Sequence, residues 1–164
     1  MSNYAPKYEQ IFDYLSAPEY PTSPEPIVTF GRKDPIVAHK VGDLVVAGLA
    51  EIVAITGGIG KDSGNLLEEG YRTEAHYLGV QLGNDLQQRM PNTPHPHVLL
   101  EEKASNGGEN ARHSLVMLSQ GGVSVSALTA VTHATSNRRL SETLKFEAQK
   151  MTGTESVVHR VPSD

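Results

Sequence analysis

The sequence predicts an α/β fold in which a parallel sheet of about five strands carries helices on both faces. Three observations point there. Short apolar segments rich in β-branched residues recur along the chain, helix-like stretches fill the intervals between them, and the unusual polar residues fall just after the strands. Strands that alternate with helices pair in parallel, and such sheets bind ligands beyond the carboxyl ends of their strands, where the strand order reverses.

The elements follow in chain order. In residues 7–15, KYEQIFDYL, the three- and four-residue spacing of Tyr8, Ile11, Phe12 and Leu15 predicts a short amphipathic helix. Pro18, Pro21, Pro24 and Pro26 then impose an extended connector, because proline fixes φ and lacks the amide proton a helix needs. Residues 1–25 are therefore read as helix and connector, and 26–164 as a single domain. Strands are expected at Ile27–Phe30, Glu51–Thr56, His97–Leu100 and Leu128–Thr132, with a weaker one at Ser156–Val161. Helices are expected at 35–48, 73–90, 109–120 and 136–151; in the third, Ala111, Leu115 and Leu118 form an apolar stripe.

Composition narrows the classes of function. The chain has 164 residues, enough for one domain with a proper core. Its formal net charge of -5, without a basic block, disfavours nucleic-acid binding. The absence of cysteine excludes a disulfide scaffold, a thiolate zinc site and a cysteine nucleophile. The start, MSNYAPKYEQ, lacks a signal-peptide core, and no apolar run is long enough to span a membrane. The expected setting is cytoplasmic, without a membrane partner.

Three loops carry the polar residues. The loop after the second strand, ITGGIGKDSGN, is not a P-loop: Ile55 stands where a glycine is required and Asp62 where Ser or Thr is required. Nor is it a dinucleotide fingerprint, since Ser63 occupies the last glycine position. Gly57, Gly58 and Gly60 let the backbone approach a ligand closely or simply close a tight turn, and Lys61 has no assigned phosphate role. In SNGGEN, Asn106 and Glu109 have the spacing of an N-cap with a reciprocal carboxylate. Ser105, two glycines and Asn110 around them exceed what a cap needs and read as a ligand site. In HATSNRR, Arg138 and Arg139 fall in the first turn of a helix, where cations oppose the dipole, so an arginine aimed at a ligand anion would account for the placement. His133 ends an apolar strand as either a structural histidine or a group titrating near neutrality. Glu74 opens a helix, where its charge is favoured. The isolated His95/His97 pair is too small a set for a metal site, and no metal is expected.

Taken together, TGGIG at 56–60, SNGGENARHS at 105–114, HATSNRR at 133–139 and the helix-opening Glu74 resemble the YdcF-like family, the group that includes SanA and ElyC. The resemblance runs over nearly the whole chain and is closest to the soluble YdcF branch. The chain departs from the family pattern at Phe30-Gly31-Arg32-Lys33, which lacks a small-residue pair, and at Gly107 or Gly108, where a threonine is common.

The resemblance implies a Rossmann-like three-layer sandwich with a mostly parallel sheet. It also implies a cleft for S-adenosylmethionine or a related nucleotide-like small molecule. Gly57, Gly58, Gly60, Glu74, Ser105, Asn106, Asn110 and Arg138 would then bind the ligand, with Glu109 and His133 as the catalytic pair of a transferase or other S-adenosylmethionine-using enzyme. The alternatives are a non-catalytic metabolite-binding module and a hydrolase or transferase acting on a phosphorylated sugar or lipid-carrier intermediate. A homodimer is compatible with all of these.

Overall fold

A computed structural model describes residues 5–60 and 63–163; Lys61 and Asp62 lie outside the described residues. Helix α1 (Ala5–Ser16) and the proline connector lead to strand β1 (Ile27–Phe30). There follow α2 (Pro35–Val46), β2 (Ile52–Thr56), α3 (Glu74–Arg89), β3 (His97–Glu101), α4 (Gly107–Gln120) and β4 (Ala127–Thr132). A single 3-10 turn (Ala134–Ser136) precedes α5 (Asn137–Thr152), and β5 (Val157–Pro162) completes the sheet.

The strand order is β3-β2-β1-β4-β5, and every pairing is parallel. This is the predicted three-layer Rossmann-like arrangement. The chain runs outward from β1 through β2 to β3, then returns to place β4 on the other side of β1. The order therefore reverses between β1 and β4, and a crevice opens beyond their carboxyl ends.

Alternation along the strands divides the core in two. Ile27, Val53 and Ile55 face α2 and α3 and pack with Val37, Val41, Leu78, Leu82 and Leu86. Val28, Ala54, Leu128 and Ala130 point the other way, onto Ala111, Leu115, Leu118 and Leu144 of α4 and α5. A strand covered on both sides must be apolar at every position, and β1 is buried throughout.

Local chemistry sets the helix ends. The Asp34 carboxylate accepts from the Ile36 amide (3.1 Å) with Pro35 at the first helical position of α2, and Thr73 caps α3 by accepting from the His76 amide (3.0 Å). Gly153, at φ +71°, ends α5 in the left-handed conformation that glycine adopts without a steric penalty. Asp85 of α3 lies between His39 of α2 (2.8 Å) and Arg89 (2.9 Å), and Arg89 also reaches Asp43, which ties the two helices together.

The N-terminal helix differs from expectation. Its predicted apolar stripe is largely exposed at Tyr8, Ile11 and Phe12. The helix rests on the 3-10 turn and α5, with the Tyr14 ring 3.9 Å from the Arg138 guanidinium. Helical spacing reports that a stripe exists, and only tertiary structure decides what it meets. Among the described residues, no helix is long and apolar enough to cross a membrane.

The two-sided core leads to a stability contrast on one helix. Leu118 is fully buried under the sheet, whereas Val116, two residues away, is 42% exposed. Leu118→Ala should lower unfolding free energy by about 2–5 kcal/mol, and Val116→Ala should change it by less than about 0.5 kcal/mol. Chemical denaturation of both variants checks this.

Candidate functional site

The crevice at the strand-order reversal holds a cavity of about 240 Å³. Loops after four strands build its wall. Gly31 and Arg32 follow β1, Gly60 follows β2, Ser105 to Gly107 follow β3, and Thr132, His133 and Ser136 follow β4. Asn110, Glu74, Arg139 and Leu140 complete the lining from the first turns of α4, α3 and α5. The three predicted loops do converge at one end of the sheet.

A buried carboxylate holds the loops together. Glu101, last in β3, accepts from the Thr56 hydroxyl (2.8 Å) and from the amides of Lys103 (2.8 Å) and Ala104 (3.2 Å), and it lies 3.3 Å from His113 Nδ1. Its backbone carbonyl accepts from the Gly57 amide (2.9 Å). One residue thus joins the loop after β2 to the loop after β3. Its sequence signal was slight, a charge at the end of an apolar run.

Gly57 and Gly58 are packing residues. The Gly58 amide donates to the Ala104 carbonyl (2.7 Å), and their own carbonyls accept from Ala75 (2.9 Å, at Gly57) and Glu74 (3.1 Å, at Gly58), supplying partners for the open end of α3. A Cβ at Gly58 would sit 2.8 Å from the Ala104 oxygen; one at Gly57 would sit 2.8 Å from Gly31 Cα, at a φ of +147°. Their amides are occupied and neither residue lines the cavity. The glycines allow one backbone to lie against another, which is the closure reading of this loop. Gly60, by contrast, does line the cavity.

Glu109 also lies outside the lining. Its carboxylate accepts from the Ser105 amide (2.8 Å) and hydroxyl (2.9 Å), while its own amide donates to Asn106 Oδ1 (3.0 Å). The reciprocal cap exists, but the glutamate reaches Ser105, one residue further back than the spacing predicts. The Ser105 amide, then its hydroxyl, hold the Glu109 carboxyl below its ordinary range. A carboxylate stabilised in this way is a weak proton acceptor.

The two arginines divide. Arg138 stacks on Tyr14 and is not part of the cavity wall. Arg139 is, beside Gly107, where a Cβ would meet Leu140 at 2.7 Å and the Arg139 guanidinium at 3.5 Å. Arg32, which the sequence marked only within the segment that departs from the family pattern, enters from the loop after β1. Among the described residues, neither Arg32 nor Arg139 has an ion-pair partner.

Four other predicted residues and Glu74 share this wall. Ser105, Asn106 and Asn110 line the wall, and His133 does so with Nδ1 2.9 Å from Thr135 Oγ1 and Nε2 4.0 Å from Asp34. Glu74, buried in the wall, accepts from the Ser63 hydroxyl (2.9 Å). His95 lies 3.3 Å from the Met90 carbonyl, far in the fold from these loops, and no group of three metal-ligating side chains occurs among the described residues.

No protein-family model matches the chain, and no curated protein sequence matches it significantly. The chemistry of the cleft therefore rests on this geometry.

The depressed Glu109 pKa gives a pH signature. The stability it contributes is present above the ordinary glutamate value of about 4.3 and is lost as pH falls through the lower folded value. Glu109→Gln should therefore melt below the wild type above about pH 5, and the gap should close as the pH falls below about 4. Melting temperatures across pH 3–7 check it; a gap independent of pH contradicts it.

Proposed function

We propose that the chain binds an anionic, nucleotide-like small molecule in the crevice between β1 and β4. The observation that carries this reading is the presence of two arginines, Arg32 and Arg139, in the wall without an ion-pair partner among the described residues. Both side chains are exposed at the crevice, where water can reach them, and two guanidiniums on one wall without a carboxylate partner among the described residues support an anion as the occupant. The first turn of α4 also opens toward the crevice at Asn106 and Gly107, and its end of the helix dipole has the same sign.

S-adenosylmethionine, the ligand that the family resemblance implies, is a net cation at neutral pH, so only its carboxylate would suit Arg139, and a related phosphorylated ligand matches the two arginines better. Turnover of the bound molecule is the second half of the reading. His133 and Glu74 are the two wall residues able to exchange a proton with it. Arg139 takes the anion-holding role that the sequence reading gave to Arg138, and Glu109 keeps its capping role.

Thermal-shift titration with S-adenosylmethionine and a panel of nucleotides tests the reading, because a ligand selective for the folded state raises the melting temperature by mass action. Arg139→Ala should weaken binding by about 10- to 100-fold, the equivalent of one charge-assisted contact. Arg138→Ala should leave the ligand response intact while loosening α1. The reverse pattern would return the binding role to Arg138. Absence of any ligand response would overturn the reading.

A further inference from the structure

The wall contains a second recognition element beside the arginines. Asn110 is only 8% exposed, and its Oδ1 lies 3.2 Å from the Thr56 hydroxyl that donates to Glu101. Nδ2 has no hydrogen-bond partner among the described residues and is not fully enclosed. The side chain borders the cavity. An amide held at one end and open to the cavity at the other is paired by water or by a ligand group that takes the water's place. Whichever end meets Thr56, a hydroxyl, being both donor and acceptor, pairs with the other.

Size and lining define the rest of the ligand. Among the described residues, the only apolar side chains in the wall are Phe30 and Leu140, both buried, so these residues form no open apolar slot for a flat base. The cavity of about 240 Å³ is smaller than the roughly 300–1,000 Å³ of pockets that enclose drug-sized ligands. The polar groups Asn110, Ser105, Ser136 and Glu74 suit hydroxyls, and Arg32 and Arg139 suit a dianion.

Resting on the anionic-ligand reading above, we propose that the moiety seated in this cavity is a phosphorylated sugar, its phosphate on Arg139 and Arg32 and a ring hydroxyl on Asn110. The sugar phosphate is either a free metabolite or the ribose-phosphate end of a nucleotide whose base stays outside the wall.

Calorimetric and thermal-shift titrations of the full chain with inorganic phosphate, ribose 5-phosphate, 2-deoxyribose 5-phosphate, AMP and S-adenosylmethionine test the proposal. Ribose 5-phosphate should bind more tightly than inorganic phosphate. Asn110→Ala should weaken ribose 5-phosphate by about three- to tenfold, one neutral hydrogen bond, and leave inorganic phosphate unchanged. Arg139→Ala should weaken both. AMP equal to or tighter than ribose 5-phosphate supports the nucleotide source, and AMP weaker supports the free sugar phosphate.

Since Asn110→Ala removes a buried contact, Asn110→Ser is carried alongside it, and the wild-type comparison of ribose with deoxyribose phosphate reads a hydroxyl without any variant. Inorganic phosphate binding as tightly as ribose 5-phosphate, or Asn110 variants that fold and bind ribose 5-phosphate like the wild type, overturns the sugar proposal while leaving the anion reading in place. S-adenosylmethionine binding more tightly than every phosphate also overturns it. No response to any anion overturns both.

Discussion

The crevice depends on one buried carboxylate. Parallel strands end in loops that share no backbone ladder, so the wall at their carboxyl ends needs another source of order. Glu101 supplies it, gathering Thr56 from β2 and the amides of Lys103 and Ala104 from its own loop around two oxygens. The Gly57 amide is held by the Glu101 carbonyl and the Gly58 amide by Ala104, so the glycine loop is fixed to the same scaffold. Ser105 and Asn106 then start α4 from a defined point, and Asn110 meets Thr56 one turn later. Charged hydrogen bonds to amides in a partly dry site are stronger than neutral ones, which suits a hub of this kind.

That hub explains why the crevice is polar and preformed. Glycines at 31, 57 and 58 bring three backbones into contact, and any side chain at Gly58 would meet two carbonyl oxygens. The hydrogen-bonding capacity of those loops is largely consumed internally. Arg32, Arg139 and the end of Asn110 that has no partner among the described residues remain on the crevice wall, and the proposal of a ligand with a negative group and a hydroxyl is read from them.

Much of this was legible in the sequence, and the failures are physical. The β-branched runs marked β1, β2 and β4 because strands buried on both faces admit little else, whereas β3, at the sheet edge, is largely exposed and was marked by a shorter apolar run. The polar loops marked the crevice because parallel sheets place ligands at strand ends. The choice between Arg138 and Arg139 was not legible: the two are adjacent in one helical turn, about 100° apart around the axis. What decides it is Tyr14, more than a hundred residues earlier, whose ring takes the Arg138 guanidinium. Glu101 was hidden for the same reason, since its partners come from β2, its own loop and α4. The glycines of TGGIG were legible as a special loop, but not as backbone packing, because spacing alone does not reveal whether a carbonyl or a ligand lies opposite.

Amide hydrogen exchange read residue by residue tests the role of Glu101 most directly. In the wild type, the amides of Lys103, Ala104 and Gly57 should be protected well beyond that of Asn92 in an exposed loop. In Glu101→Gln, which keeps the shape but loses the charge and one acceptor oxygen, protection at these three amides should fall while the buried amides of β1 and β4 keep theirs. Protection at Lys103, Ala104 and Gly57 that is the same in both proteins would contradict the account, because the wall would then stand without the carboxylate.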